Sequence, residues 1–209
     1  MIVAVILAAG LSSRMKKNKL LLPLGETTVI EHVVKTVLSS KVDYVIVVSG
    51  RDHEFVRKLL KYYPVRLLYN DQYEKGQSTS IVKGMETLPR TGVEGVLFAM
   101  GDQPLIHVEG INAIIDAFAM KKGKIIVPVN TRTDKKGAPV LFDRSFFSEI
   151  RKIEGDQGGK VVIRQHPDAV YECEIDSSEF FDDIDTEEAY ESIMEWWRRH
   201  ETENDIEPN

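Results

Sequence analysis

The chain has 209 residues, 43% of them hydrophobic and 29% charged, with a formal net charge of -6. That length suits one large domain, the composition excludes intrinsic disorder, and the acidic balance argues against a nucleic-acid binder that neutralises backbone phosphates. A single cysteine, Cys173, excludes an intrachain disulfide and points away from a thiolate zinc site.

In chain order, the N-terminus runs straight into an apolar segment at residues 2–7, which lacks a basic leader. It is too short for a signal h-region or a membrane span, so a cytoplasmic chain without membrane or nucleic-acid partners is expected. Strand-like apolar runs occur at 3–7, 44–48, 65–69, 93–99, 124–129, 139–142 and 170–175. Helix-like periodic stretches lie between or after them at 27–38, 53–62, 78–88, 108–120, 146–150, 160–165 and 186–199. The first, second and fourth runs are continuously apolar, as strands buried on both faces should be. This β-α-β alternation predicts an α/β fold with a single doubly wound, mostly parallel sheet of Rossmann-like type. One domain is expected over 1–199, followed by a polar, acidic tail at 200–209. Such sheets bind ligands beyond the carboxyl ends of their strands, so the informative loops are those leaving strands.

The first such loop reads Leu7-Ala8-Ala9-Gly10-Leu11-Ser12-Ser13-Arg14-Met15-Lys16-Lys17-Asn18-Lys19. Small residues at Ala8, Ala9 and Gly10 allow close approach to the backbone and leave N–H groups free for phosphate oxygens. Ser12 and Ser13 add hydroxyls; Arg14 adds a planar fork and Lys19 a point charge. Neither a G-x-x-x-x-G-K-[ST] loop nor a G-x-G-x-x-G turn is present. Composition alone leaves open whether this is a phosphate loop or a solvated basic turn.

Two carboxylates also stand at strand ends. Gly101-Asp102-Gln103-Pro104 closes the fourth run, where Asp102 reads either as a ligand-facing residue or as a turn aspartate bonding its own backbone. Asp183-Ile184-Asp185-Thr186 opens the last helix, and Asp185 with Glu188 has the spacing of a capping box. Ser78, in Gly76-Gln77-Ser78-Thr79-Ser80, reads as an N-cap, and Asp156 reads as a cap for the short helix after it.

Leu7-Ala8-Ala9-Gly10-x-Ser12-x-Arg14-Met15, with Lys19 and Leu21-Leu22-Pro23-Leu24-Gly25, resembles the opening signature of the nucleotidyltransferases. More narrowly the chain is similar to the molybdenum cofactor nucleotidyltransferases of the MobA-like NTP transferase superfamily, through about Tyr190. The resemblance implies that Arg14, Lys19 and Asp102 carry the chemistry and that Asp102 and Asp185 hold Mg2+ against a triphosphate. It implies a nucleotide site from Leu7, Ala8, Ala9, Gly10, Ser12, Gly76, Ser78, Ser80 and Gln103, and an acceptor side from Pro139, Asp156 and Gly158. Leu7-Ala8-Ala9-Gly10 with Gly101-Asp102-Gln103-Pro104 is the cytidylyl pattern of that family; the Ala9 methyl narrows the slot toward a pyrimidine. The implied reaction is transfer of CMP from CTP to the phosphate of molybdenum-molybdopterin, releasing pyrophosphate, with a molybdenum hydroxylase apoenzyme as a further partner. Alternatives are guanylyl or cytidylyl transfer to a sugar or alditol phosphate, and a non-catalytic maturation factor. Two positions depart from the family. Lys16 stands where glycine is usual, which suggests a turn built with Asn18 in the left-handed region, and Ala138 stands where His or Asn is common.

The remaining features read as structural. His32, His53, His107, His166 and His200 form no metal-spaced cluster, Cys173 alternates with Glu172 and Glu174 and should face inward, and Trp196 and Trp197 should pack a helix onto the sheet.

Overall fold

The computed structural model describes residues 1–10, 15, 18–156 and 158–204. Its centre is β1 (Ile2–Ala8), buried at every position because it is flanked by strands on both edges and covered by helices on both faces. Alternate residues go to opposite layers, as the pleat requires. Ala4 and Ile6 join one core cluster, while Val3 and Val5 join the other.

β1 pairs in parallel with β4 (Tyr44–Ser49) and β6 (Gly95–Met100), and β4 pairs in parallel with β5 (Arg66–Tyr69). β7 (Ile125–Asn130), β8 (Val140–Asp143) and β9 (Val170–Ile175) complete a seven-stranded sheet of order β5-β4-β1-β6-β8-β7-β9. Only β8 runs antiparallel to its neighbours, so the sheet is mostly parallel, as the alternating pattern predicts. A small hairpin of β2 (Pro23–Leu24) and β3 (Thr27–Thr28) lies outside that sheet and had no counterpart among the expected strands.

The helices divide between the two faces. α1 (Val29–Leu38), α2 (His53–Leu59) and α4 (Val108–Ala119) cover one; α3 (Gln77–Glu86), α5 (Phe147–Ile150) and α6 (Lys160–Gln165) cover the other. α1 shows the logic. Thr28 and Glu31 form a capping box, and Val29, Ile30, Val33, Val34 and Val37 make one buried stripe at helical spacing. α7 (Glu187–Asn204) packs through Ile193 on a third cluster with Leu24, Val29, Leu105 and Ile184. Trp197 meets His32 of α1 edge to face, with ring centroids 4.6 Å apart, so it packs helix on helix rather than helix on sheet. Cys173 is buried in the first cluster, as its alternation predicts. Among the described residues no helix is long and apolar enough to cross a membrane.

Four local expectations are corrected. α3 starts at Gln77, after Gly76 at φ 110, so Ser78 lies inside the first turn and does not cap it. Thr186 caps α7: its hydroxyl accepts from Ala189 N–H at 3.1 Å, while the Asp185 carboxylate bonds Lys19. Asn18 is extended at φ -69 and ψ 111 rather than left-handed, and its side chain caps the tight turn Lys19–Leu21. α7 also continues to Asn204, into the segment expected to be a tail.

Candidate active site

The carboxyl ends of β1 and β6 are tied together by a hydrogen bond from Gly101 N–H to the Leu7 carbonyl at 2.9 Å. The Ile184 N–H donates to the Asp102 carbonyl at 3.0 Å, which draws the 183–185 segment to the same place. Below it, Asn18 holds the turn bearing Lys19: its Oδ1 accepts from Leu20 N–H at 2.9 Å and its Nδ2 donates to Asp52 at 2.5 Å. Three charged side chains converge as a result. Lys19 Nζ lies 2.5 Å from Asp102 Oδ2 and 2.8 Å from Asp185 Oδ1.

Burial sets the electrostatics of this cluster. Lys19 and Asp102 side chains are only 10% and 12% exposed, against 40% for Asp185. Burial disfavours the Lys19 ammonium, but the Asp102 and Asp185 carboxylates outweigh it and hold its pKa above the ordinary lysine value. For Asp102, burial pushes the carboxyl upward and the neighbouring Asp183 adds to this, against the opposing pull of Lys19. Asp102 Oδ1 is buried and has no hydrogen-bond partner among the described residues. A buried carboxylate oxygen left unpaired is costly unless something else satisfies it.

Leu7, Ala8 and Ala9 are buried, and Gly10 is exposed at the strand end. Ser12 and Arg14 lie outside the described residues, as does Lys16. Ser80 and its neighbour Thr79 are held by Asn70, a residue the sequence motifs do not single out. Asn70 is 2% exposed; its amide donates to Thr79 Oγ1 at 2.9 Å and Ser80 Oγ at 3.0 Å, and its Oδ1 accepts from Gln72 N–H at 3.0 Å. The available signal was its position directly after β5, at a strand's carboxyl end. The Ser80 hydroxyl is thus engaged within the loop, and the Ser78 hydroxyl is buried with no partner among the described residues.

Beside the cluster opens a cleft of about 480 Å³. Phe98, Met100, Val127 and Phe142 give it an apolar floor, and Lys135, Lys136, Lys160 and Arg164 a cationic rim. Gln103 and Gln77 face it, the former with a buried Oε1 that has no partner among the described residues. Of the expected acceptor-side residues, Pro139 is buried in a cis Ala138–Pro139 step between cleft-lining Ala138 and Val140. Gly158 is buried, and Asp156 does not cap α6: its Oδ1 accepts from Gln77 N–H at 3.1 Å, at the start of α3. A larger hollow of about 930 Å³ lies at the opposite end of the sheet, lined by Ile2, Lys124 and Ala169, and none of the expected site residues reaches it.

The histidines stay outside this region. His53 bonds Ser49, His107 caps α4, His166 bonds Glu149, and His200 stacks on Trp196. Among the described residues no three His, Cys, Asp or Glu side chains form a metal cage.

The sequence matches the MobA-like NTP transferase domain over residues 4–170. It is 31% identical to the purine catabolism protein PucB of Bacillus subtilis over 202 residues, covering 92% of this chain and 95% of that protein. Among solved structures it resembles a nucleotidyl transferase from Methanothermobacter, with a TM-score of 0.80 at 28% identity, covering 96% of this chain and 99% of that one. It also resembles the manganese complex of Rv0371c from Mycobacterium tuberculosis, with a TM-score of 0.76 at 26% identity, covering 93% and 98%. The matched segment holds the β1 loop, Lys19, Asp102 and most of the cleft lining, and the chain belongs to the MobA-like NTP transferase domain family and is a nucleotidyltransferase.

Proposed function

We propose that the protein transfers CMP from CTP to the phosphate of molybdenum-molybdopterin, releasing pyrophosphate. The observation that carries this reading is Lys19 held between Asp102 and Asp185 at the carboxyl ends of β1 and β6, beside an apolar cleft with a cationic rim. An oxygen of the acceptor phosphate attacks the α-phosphorus of CTP. The bond from that phosphorus to the bridging oxygen breaks, and pyrophosphate leaves with the electron pair. Both reactants are anions, so charge cancellation and in-line alignment supply most of the acceleration.

Asp102 Oδ1, buried and lacking a partner among the described residues, and Asp185 across Lys19 are hard oxygen donors that fit a divalent cation shared with phosphate oxygens. These two residues would hold Mg2+, which supplies positive charge against the triphosphate; the manganese complex of a structural relative supports a divalent ion. Lys19 adds a fixed charge from the protein side, with Arg14 of the same loop as its partner in the task. The flat apolar floor suits a heteroaromatic acceptor, and the rim suits its anionic groups. No histidine faces the cleft, and none is required. A phosphate monoester has its second pKa near ~6, so at neutral pH the acceptor is already a dianion.

The test is acceptor-dependent release of pyrophosphate from CTP in the presence of Mg2+. Release with molybdenum-molybdopterin, and none with sugar or alditol phosphates, is expected. Release with a sugar or alditol phosphate alone would overturn the acceptor, and equal release without any acceptor would overturn the transfer.

A further inference from the structure

The loop on the acceptor side is fastened to the start of α3 by two hydrogen bonds and approaches it closely at two glycines. Gln77 N–H donates to Asp156 Oδ1 at 3.1 Å, and Ser78 N–H donates to the Gly155 carbonyl at 3.2 Å. These are the first two N–H groups of α3, which have no partner inside the helix. The close approaches are at Gly76 and Gly158. Gly76 sits at φ 110, and a Cβ there would lie 2.8 Å from the Gly155 carbonyl oxygen. A Cβ on Gly158, at φ 56, would meet Gln77 Oε1, the movable end of a side chain. The backbone approach at Gly76 is the closer constraint, since a side chain there would collide with the Gly155 carbonyl.

The contacts continue toward the charged cluster. Gln77 Nε2 reaches the Met100 sulfur at 3.3 Å, at the end of β6 and just before Asp102. Gln77, Gly159 and Lys160 all line the cleft. Asp156 itself is exposed and is not used by the helix that follows it, since α6 begins after Gly159 with no side-chain cap. Its carboxylate is therefore committed to α3, across 79 residues of sequence. A carboxylate there is also favoured by the partial positive charge at the helix start.

We propose that Asp156 is a positioning residue for nucleotide binding: it holds residues 76–80, Gly76 and the first turn of α3, in place from the acceptor side, so CTP affinity depends on a loop that touches the other substrate. This rests on the reading of 76–80 as nucleoside contacts. Asp156 acts through α3 and not on the nucleotide itself. Its loss leaves the Gln77 N–H unpaired and lets residues 76–80 drift from the end of β6.

The experiment compares Asp156→Ala and Asp156→Asn with the unmodified protein in three measurements: CTP affinity by calorimetry without acceptor, amide hydrogen exchange at the first turn of α3, and the acceptor KM. Asp156→Ala should weaken CTP binding by about five- to tenfold, the usual effect of losing a helix cap, and speed exchange at Gln77 and Ser78. Asp156→Asn keeps the accepting oxygen and should restore most of both. Unchanged exchange in Asp156→Ala would show that the clamp does not hold α3, and would overturn the proposal while leaving the nucleoside reading standing. Faster exchange with unchanged CTP affinity would instead overturn the reading of 76–80 as nucleoside contacts, and the proposal with it. A rise in acceptor KM alone would make Asp156 an acceptor contact and end its positioning role.

Discussion

The cleft carries two kinds of charge. In the inner cluster Lys19 and Asp102 are largely withdrawn from water and Asp185 is half-buried, with Lys19 fixed at 2.5 and 2.8 Å from the two carboxylates. The rim cations Lys135, Lys136, Lys160 and Arg164 are exposed, and two of them are already paired at the surface, Lys135 with Asp182 at 3.6 Å and Lys136 with Glu172. Exposed pairs of this kind contribute about 0–1 kcal/mol and are screened by salt. Removing one member of an isolated buried pair leaves a charge that nothing else can satisfy, whereas here Asp185 remains beside Lys19 when Asp102 is lost. Burial therefore separates the charges assigned to the proposed transfer step from those assigned only to attracting an anion.

The largest expected effect comes from the inner cluster. Asp102→Asn keeps the volume and leaves Lys19 with Asp185, so the thermal midpoint should change little while turnover falls about 100-fold or more, as for loss of a metal ligand. Near-normal turnover at saturating Mg2+ would remove Asp102 from the site.

His32 shows what burial does without an opposite charge. Desolvation drives its imidazole down to about 4, with the Lys35 ammonium adding to the shift. The unfolded chain takes up a proton as pH falls through 6.5, whereas the folded ring resists until about 4. The stability from this neutral ring is whole above pH 6.5 and is lost between there and pH 4, about 3 kcal/mol in all. Thermal midpoints across that window should fall less steeply for His32→Gln than for the unmodified protein; parallel curves would refute the shift.

A smaller effect is expected at Ala9, buried at the end of β1. CTP should be preferred over GTP in kcat/KM, and Ala9→Gly should narrow that preference by about tenfold, the scale of one methyl group in a pocket. A GTP preference in the unmodified protein would end the cytidylyl reading. The smallest effect belongs to the rim. Replacing Lys160 and Arg164 by Ala should raise the acceptor KM about threefold at low salt, fade at high salt, and leave kcat unchanged. A loss of kcat there would mean that the rim takes part in the transfer step.

The difference between the regions also explains what the sequence could tell. Strand-like apolar runs marked all seven strands of the large sheet, and those of β1, β4 and β6 are continuously apolar, the local trace that burial on both faces leaves. The β2–β3 hairpin has two residues per strand, too few for any period. The direction of β8 depends on pairing with β6 and β7 and leaves no mark within 140–143. The misplaced caps share one cause. Asp185 and Asp156 each stand near a helix start, yet their partners are Lys19, 166 residues away, and Gln77, 79 residues away. Asn70 was missed for a related reason: its importance lies in three hydrogen bonds across a loop rather than in a motif.

That Lys19, Asp102 and Asp185 are where metal and triphosphate meet is tested most directly by titrating Mn2+ in the presence of CTP and following free Mn2+ by electron paramagnetic resonance. The unmodified protein should form a one-to-one complex with Mn2+ and CTP, and Asp102→Asn should bind Mn2+ about 10- to 100-fold more weakly with its circular dichroism intact. Equal Mn2+ affinity in the two proteins would contradict the assignment of this cluster as the metal–triphosphate site.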